Sequence, residues 1–346
     1  MNTLEAYVNY SVESILKLCR IPSPSGFTKE IGDFLTLELA GMKLHPEKTR
    51  KNAVICELGG VGRPLVLAAH IDTLGAMIRS IKGNGRIRFT PIGGYAGGFV
   101  ENENVCIHTR EGKKFSGTIH LINAAAHTYK DTATLERNEA NLEIVIDEVV
   151  TKEDETLKLG IKPGDFISFD PRTIYTESGF IKSRFLDDKA SAGVLMGLAK
   201  AVSEGFIIPQ RKVYLMFTNY EEVGHGASSG IPADVEEVIS VDMGAVGDDL
   251  KTDEYKVSIC AKDSGGPYDY DLTNKLIEIA EREKLNFAVD IYPYYGSDVE
   301  ATLRAGYDIR HGLIGPGVFA SHSYERTHKQ GVENTFKLLQ HYIIEA

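Results

Sequence analysis

The chain runs to 346 residues, 42% of them hydrophobic, enough to bury a full core in one large domain or two of moderate size. Its formal net charge of −11 excludes nucleic acid and anionic membrane as partners, because either surface would repel it. A neutral or cationic small substrate fits that charge.

The cysteines, Cys19, Cys56, Cys106 and Cys260, show no C-x-x-C spacing and read as buried thiols of a reducing compartment. Glu5, Glu13 and Lys17 interrupt the apolar positions between Met1 and Arg20, which a secretory signal would not tolerate. No apolar run approaches the ~18 residues of a membrane span. The expectation is a cytoplasmic protein with no membrane partner.

In chain order, helical periodicity runs over Tyr7 to Leu18 and Lys29 to Leu39, on either side of Pro22-Ser23-Pro24-Ser25-Gly26, with Thr28 as an N-cap. Strands are predicted at Ala53 to Leu58 and Pro64 to Ala69. The second is apolar throughout and ends on His70, as suits a strand covered on both faces. From about Leu74 to Ser183 the texture changes to short β-rich pieces, such as Ala76 to Ser80 and Asn104 to Thr109, separated by glycine turns. Alternation then resumes: a helix Lys189 to Val202, strands Val213 to Thr218 and Glu237 to Val241, a helix Leu272 to Glu283, a strand Phe287 to Tyr292, a helix Asp298 to Ala305, a strand Ile309 to Ile314 and a last helix from Val332. The predicted fold is α/β, a mixed, mostly parallel central sheet with helices on both faces, built from residues 1–73 and 184–346. Residues 74–183 form an inserted all-β domain, small and barrel-like.

His70, Glu221-Glu222 and Asp242 each lie just past the C-terminal end of a predicted strand, the edge at which open α/β sheets bind ligands. His70 and Asp72, two apart, share one face of an extended chain. The carboxylate can therefore take the proton of the imidazole nitrogen that binds no metal. The plainer alternative is a strand-end histidine held by an acid.

Asp187-Asp188 opens a helix, where capping explains one aspartate but not two mutually repelling ones. Asp187 is expected to bridge two metal ions, with Asp188 shaping the turn. Of Glu221 and Glu222, one can bind metal while the other moves protons, provided the strand ends there, as Gly224 and Gly226 suggest. An exposed acidic turn is the alternative. Asp242 and His322 complete the set, and His225, His311 and His328 compete for the downstream role. Two histidines and three carboxylates without a thiolate suit two divalent ions, Zn²⁺ or Co²⁺, with Mn²⁺ also possible. The glycines from Gly93 to Gly98 read as a loop rather than a nucleotide cradle. Tyr292, Tyr294 and Tyr295 either flank the cleft or pack on the surface.

Ile21-Pro22-Ser23-Pro24-Ser25-Gly26, Ala69-His70-Ile71-Asp72-Thr73, Phe185-Leu186-Asp187-Asp188-Lys189, Glu221-Glu222-Val223-Gly224, Val241-Asp242 and His322-Ser323 occur in an order that spans nearly the whole chain. In this the sequence resembles the metallopeptidase family of the glutamyl, deblocking and tetrahedral aminopeptidases. The resemblance implies that His70, Asp187 and Asp242 hold one metal and Asp187, Glu222 and His322 the other. It also implies Glu221 as general base, Asp72 as partner of His70, and a β-rich insertion used in a dimer-based homo-oligomer, up to a dodecamer. Two departures, Tyr324-Glu325-Arg326-Thr327-His328 after the His-Ser pair and Gly296-Ser297-Asp298, look like a branch found beside genes for a small osmoprotectant peptide. The expected activity is hydrolysis of the N-terminal bond of short peptides by a dinuclear metal-dependent aminopeptidase. Its rivals are a dipeptidase or N-acyl deacylase of the same chemistry, a glycosidase, and a non-catalytic peptide-binding scaffold.

Overall fold

A computed structural model describes residues 3–345. They fall into two compact units, one of residues up to Asp72 and from Arg172 onward, the other Thr73–Pro171.

Among the described residues of the first unit is a nine-stranded sheet. Its centre is parallel, with Leu65–His70 flanked by Val213–Thr218 and Glu237–Val241, and Glu237–Val241 flanked in turn by Arg310–Val318. These strands form because their side chains are buried on both faces, which favours continuous apolar runs over alternation. Period two still sorts them. Leu65, Leu67 and Ala69 enter one core with Leu215, Ile239 and the helices Leu4–Cys19, Lys29–Gly41, Leu186–Ser203, Tyr270–Arg282 and Lys329–Ile344. Val66 and Ala68 enter a second core with Met216, Val238, Ala227 and Val299 of the short helix Asp298–Arg304. Helices therefore cover both faces, unequally.

The helix Leu186–Ser203 is almost wholly buried, and its small residues set how closely it approaches the helix Leu4–Cys19. A Cβ on Gly193 would lie 2.3 Å from Ile15 Cγ1, and one on Gly197 1.9 Å from the Ser11 hydroxyl oxygen. Only glycine allows that contact.

The strand Val257–Lys262 has no counterpart in the sequence-based expectation. Ser258 breaks its apolar run, yet is buried because its hydroxyl is matched by Thr252 at 2.8 Å and by Tyr292. The strand runs antiparallel to Arg310–Val318, one of the antiparallel pairings that make the sheet mixed.

In the second unit Gly75–Ile81, Ile87–Ile92, Leu142–Ile146, Lys114–Leu121, Asn104–His108 and Phe166–Phe169 close into an antiparallel barrel in that order. Ile78, Phe89, Ile107, Ile119, Ile144 and Ile167 are buried in it. The expected end of the β-rich segment at Ser183 overshoots this unit. Ile174–Tyr175 and Phe180–Ser183 belong instead to a three-stranded sheet with Glu325–His328. The pairing partner lies far down the chain, where local sequence cannot reveal it.

Candidate metal centre and active site

His70 is the last residue of its strand, and Asp242 follows directly on Glu237–Val241. The strand Val213–Thr218 continues through Asn219 and a left-handed Tyr220 (φ 68°) into a single 3₁₀ turn, Glu221–Val223. That turn lets two neighbouring glutamates serve one place, which a continuing strand would prevent. Asp187 and His322 arrive differently. Phe185 (φ 71°) and His322 itself (φ 65°) adopt left-handed conformations that cost a residue with a Cβ on the order of 1 kcal/mol or more. The chain tolerates that cost at the turns that deliver these side chains.

The two oxygens of Asp187 face two histidines. Oδ1 lies 3.0 Å from His70 Nε2 and Oδ2 lies 3.4 Å from His322 Nε2. His322 Nε2 is also 3.6 Å from Glu222 Oε2, and His70 Nε2 is 3.7 Å from Glu221 Oε2. Ligand-type atoms of His70, Asp187 and Glu222 lie within 4.8 Å of one another, as do those of His70, Asp188 and Asp242. All five expected ligands and the proposed base thus share one neighbourhood. Asp188, expected only to shape the turn, joins them.

Asp72 contacts both His70 and the glutamate turn. The nearest partner of His70 Nδ1 is the backbone carbonyl of Asp72 at 3.0 Å, while the Asp72 carboxylate stands 3.8 Å away. That carboxylate accepts from the Ser25 hydroxyl (2.5 Å) and from the Glu221 backbone N–H (3.2 Å). It positions the glutamate turn more directly than it positions the imidazole. Of the competing histidines, His225 is exposed, His311 packs on Tyr268 and His328 on Phe180 and Tyr255.

The electrostatics are those of a crowded anionic site. Burial first, then the charge of Asp187, pushes Glu222 up to about 8 and Asp242 up to about 7. Glu221 and Asp188 are raised well above the carboxylate range, burial again leading. Burial also works against ionised Asp187, but hydrogen bonds from His322 and His70 outweigh it and hold its pKa below the ordinary value. His70 is desolvated, yet Asp187, Glu221 and Asp242 raise its pKa well above the usual imidazole value. So many carboxylates cannot all ionise without further positive charge. Glu222 Oε1 and both carboxylate oxygens of Asp188 are buried with no hydrogen-bond partner, an expensive arrangement unless something else engages them. Divalent cations fit that oxygen and imidazole donor set.

A family model of the M42 glutamyl aminopeptidases matches residues 52–338. The chain belongs to that family. It is accordingly a peptide hydrolase of the metallo-aminopeptidase class. A Bacillus subtilis (strain 168) protein named "Putative aminopeptidase YhfE" is 45% identical over 97% of this chain and 98% of its own length. Among solved structures, the TET1 peptidase of Pyrococcus horikoshii superposes with a TM-score of 0.84 at 24% identity, covering 97% of this chain and 100% of the other. The TET aminopeptidase of the marine sediment archaeon Thaumarchaeota archaeon SCGC AB-539-E09 gives 0.88 at 19% identity, covering 97% and 96%. At those identities the two structures speak to the fold, a largely parallel sheet with a closed antiparallel barrel.

Sequence reasoning missed two further residues of the site. Asp298, itself buried, accepts from the Thr218 hydroxyl at 2.6 Å. Glu325 accepts backbone N–H groups from both Asp187 and His322. Its acidity within a polar run gave no sign that it would be buried.

Proposed function

We propose that the chain hydrolyses the N-terminal peptide bond of short peptides at two divalent cations held by His70, Asp187, Glu222, Asp242 and His322. Asp187 is the shared ligand, with His70 and Asp242 on one side and Glu222 and His322 on the other. The observation that carries this reading is the split of the Asp187 carboxylate, one oxygen toward each histidine. Bound ions of this kind polarise a scissile carbonyl and bring the acidity of water toward neutrality.

The remaining work falls to the chain's own groups. Glu221 Oε2 takes a proton from the attacking water and returns it to the leaving amine. Its backbone is fixed through Asp72, so the carboxylate stays at the site while Glu222 serves as ligand. A cleft of about 230 Å³, lined by Glu221, Glu222, Gly224, Gly226, Ser297 and His322, receives the end of the peptide. The acidic surroundings suit a free α-amino group, which separates an aminopeptidase from a deacylase of the same chemistry.

The barrel unit, residues 73–171, is proposed as the oligomerisation element of a dimer-based homo-oligomer, up to a dodecamer. The Pyrococcus horikoshii TET1 peptidase is described as assembling into a tetrahedron or a large octahedral shell. A cytoplasmic location agrees with four free cysteines. Among the described residues, no helix is long and apolar enough to cross a membrane.

The test compares a free peptide with its N-acetylated form before and after chelation, then after reloading with Zn²⁺, Co²⁺ or Mn²⁺. Chelation abolishes cleavage, reloading restores it, and the acetylated peptide resists throughout. Cleavage that survives chelation sinks the metal reading, and equal rates on both peptides sink the aminopeptidase reading.

A further inference from the structure

We infer that Glu325 is a positioning residue that fixes the spacing between Asp187 and His322, and through it the affinity of the metal centre. The inference rests on the ligand set proposed above.

The two segments that carry Asp187 and His322 are irregular, so their N–H groups have no sheet ladder to satisfy them. Glu325 satisfies both with separate oxygens. Oε2 accepts from Asp187 N at 3.1 Å and Oε1 accepts from His322 N at 3.0 Å. One carboxylate thereby ties together two residues 135 positions apart, whose side chains approach to 3.4 Å.

The tie is rigid at its own end. Glu325 is only 2% exposed and opens the strand Glu325–His328, in register opposite Ser183. The strand Phe180–Ser183 leads directly into Phe185 and Asp187, so the carboxylate and the loop it holds share one anchored piece of sheet. An ionised carboxylate is suited to this task because it offers two acceptors and no donor. Glutamine keeps the shape but turns one acceptor into a donor facing an N–H.

Partners of metal ligands that set ligand orientation typically control affinity by 10–100-fold. The decisive experiment titrates metal-free enzyme with Zn²⁺ against a chromophoric chelator, for wild type, Asp187→Asn, Glu325→Gln and Glu325→Asp. Thermal melts of the metal-free proteins are recorded alongside. The expected result is a 10–100-fold loss of Zn²⁺ affinity in Glu325→Gln, with the metal-free melting temperature close to wild type and activity recovered at raised metal concentration. Glu325→Asp, which keeps two acceptors on a shorter stem, falls between wild type and Glu325→Gln. Affinity within about twofold of wild type in a folded Glu325→Gln overturns the inference. If Glu325→Gln does not fold, wild-type affinity in Glu325→Asp overturns it equally. Should Asp187→Asn also bind Zn²⁺ like wild type, the proposed ligand set is wrong, which is a different failure.

Discussion

His70 and Asp242 reach the site on the ends of parallel strands, whereas Asp187, Glu222 and His322 reach it on turns, and the two groups are held by different physics. The strand ends are fixed by the ladder itself: Ile71 N donates to Thr218 O at 3.0 Å, and Asp242 N to Ile314 O at 2.9 Å. The turns need extra devices. They include left-handed residues at positions 185, 220 and 322, the Asp72 carboxylate under Glu221, and Glu325 between Asp187 and His322. A sheet edge can therefore place a polar side chain cheaply, but a cluster closed from several directions depends on buried acids behind it.

The largest way to sharpen this contrast is to alter a turn-borne group outside the proposed ligand set. Glu221→Gln should leave metal content unchanged and lower turnover by a factor on the order of 10² or more, read from kcat and metal analysis of the same sample. Unaltered kcat removes Glu221 from proton transfer.

Next in size is the stability difference between the two kinds of support. In metal-free enzyme the amides of Ile71 and Asp242 should exchange with deuterium only through large-scale unfolding, while those of Asp187 and His322 exchange by local opening. Glu325→Gln should speed the second pair by up to roughly tenfold, about the loss of one buried hydrogen bond, and leave the first pair unmoved. Uniform acceleration at all four would erase the distinction.

A smaller effect is expected away from the site, at the glycine contact between helices. Gly197→Ala forces its Cβ into the Ser11 hydroxyl and the Tyr7 carbonyl, and should cost ~1–3 kcal/mol in denaturant unfolding. A variant as stable as wild type would mean that the two helices can part without penalty.

The smallest concerns the barrel. Burial, followed by the charge of Lys114, lowers His108 to about 4 from 6.5. The unfolded chain therefore takes up a proton that the folded unit resists, so stability is full above about 6.5 and declines as pH falls toward about 4. Melts at pH 7 and pH 5 should show that decline, and His108→Gln should flatten it. An unchanged slope assigns the acid sensitivity elsewhere.

Much of this molecule was legible in its sequence because parallel strands advertise themselves. The apolar runs before His70, Asn219 and Asp242 identified both the sheet and the edge on which polar groups converge. The acidic doublets stood out because neighbouring carboxylates need a reason to coexist. What stayed hidden depends on distant pairing. Residues 172–183 looked like a continuation of the barrel, since their partner strand begins at Glu325. Ser258 disguised a buried strand, and Asp188 gave no hint that both its oxygens would be buried at the site. Spacing alone also does not say that the Asp72 oxygen nearest the imidazole is its backbone carbonyl, at 3.0 Å, rather than its carboxylate, at 3.8 Å.

The central claim is a pair of cations sharing Asp187. Crystals of the enzyme loaded with zinc, measured at the zinc absorption edge, test it most directly through anomalous difference density. Two peaks are expected, one on each side of the Asp187 carboxylate, the first beside His70 and the second beside His322. A single peak, or peaks that leave Asp187 without contact, would contradict it.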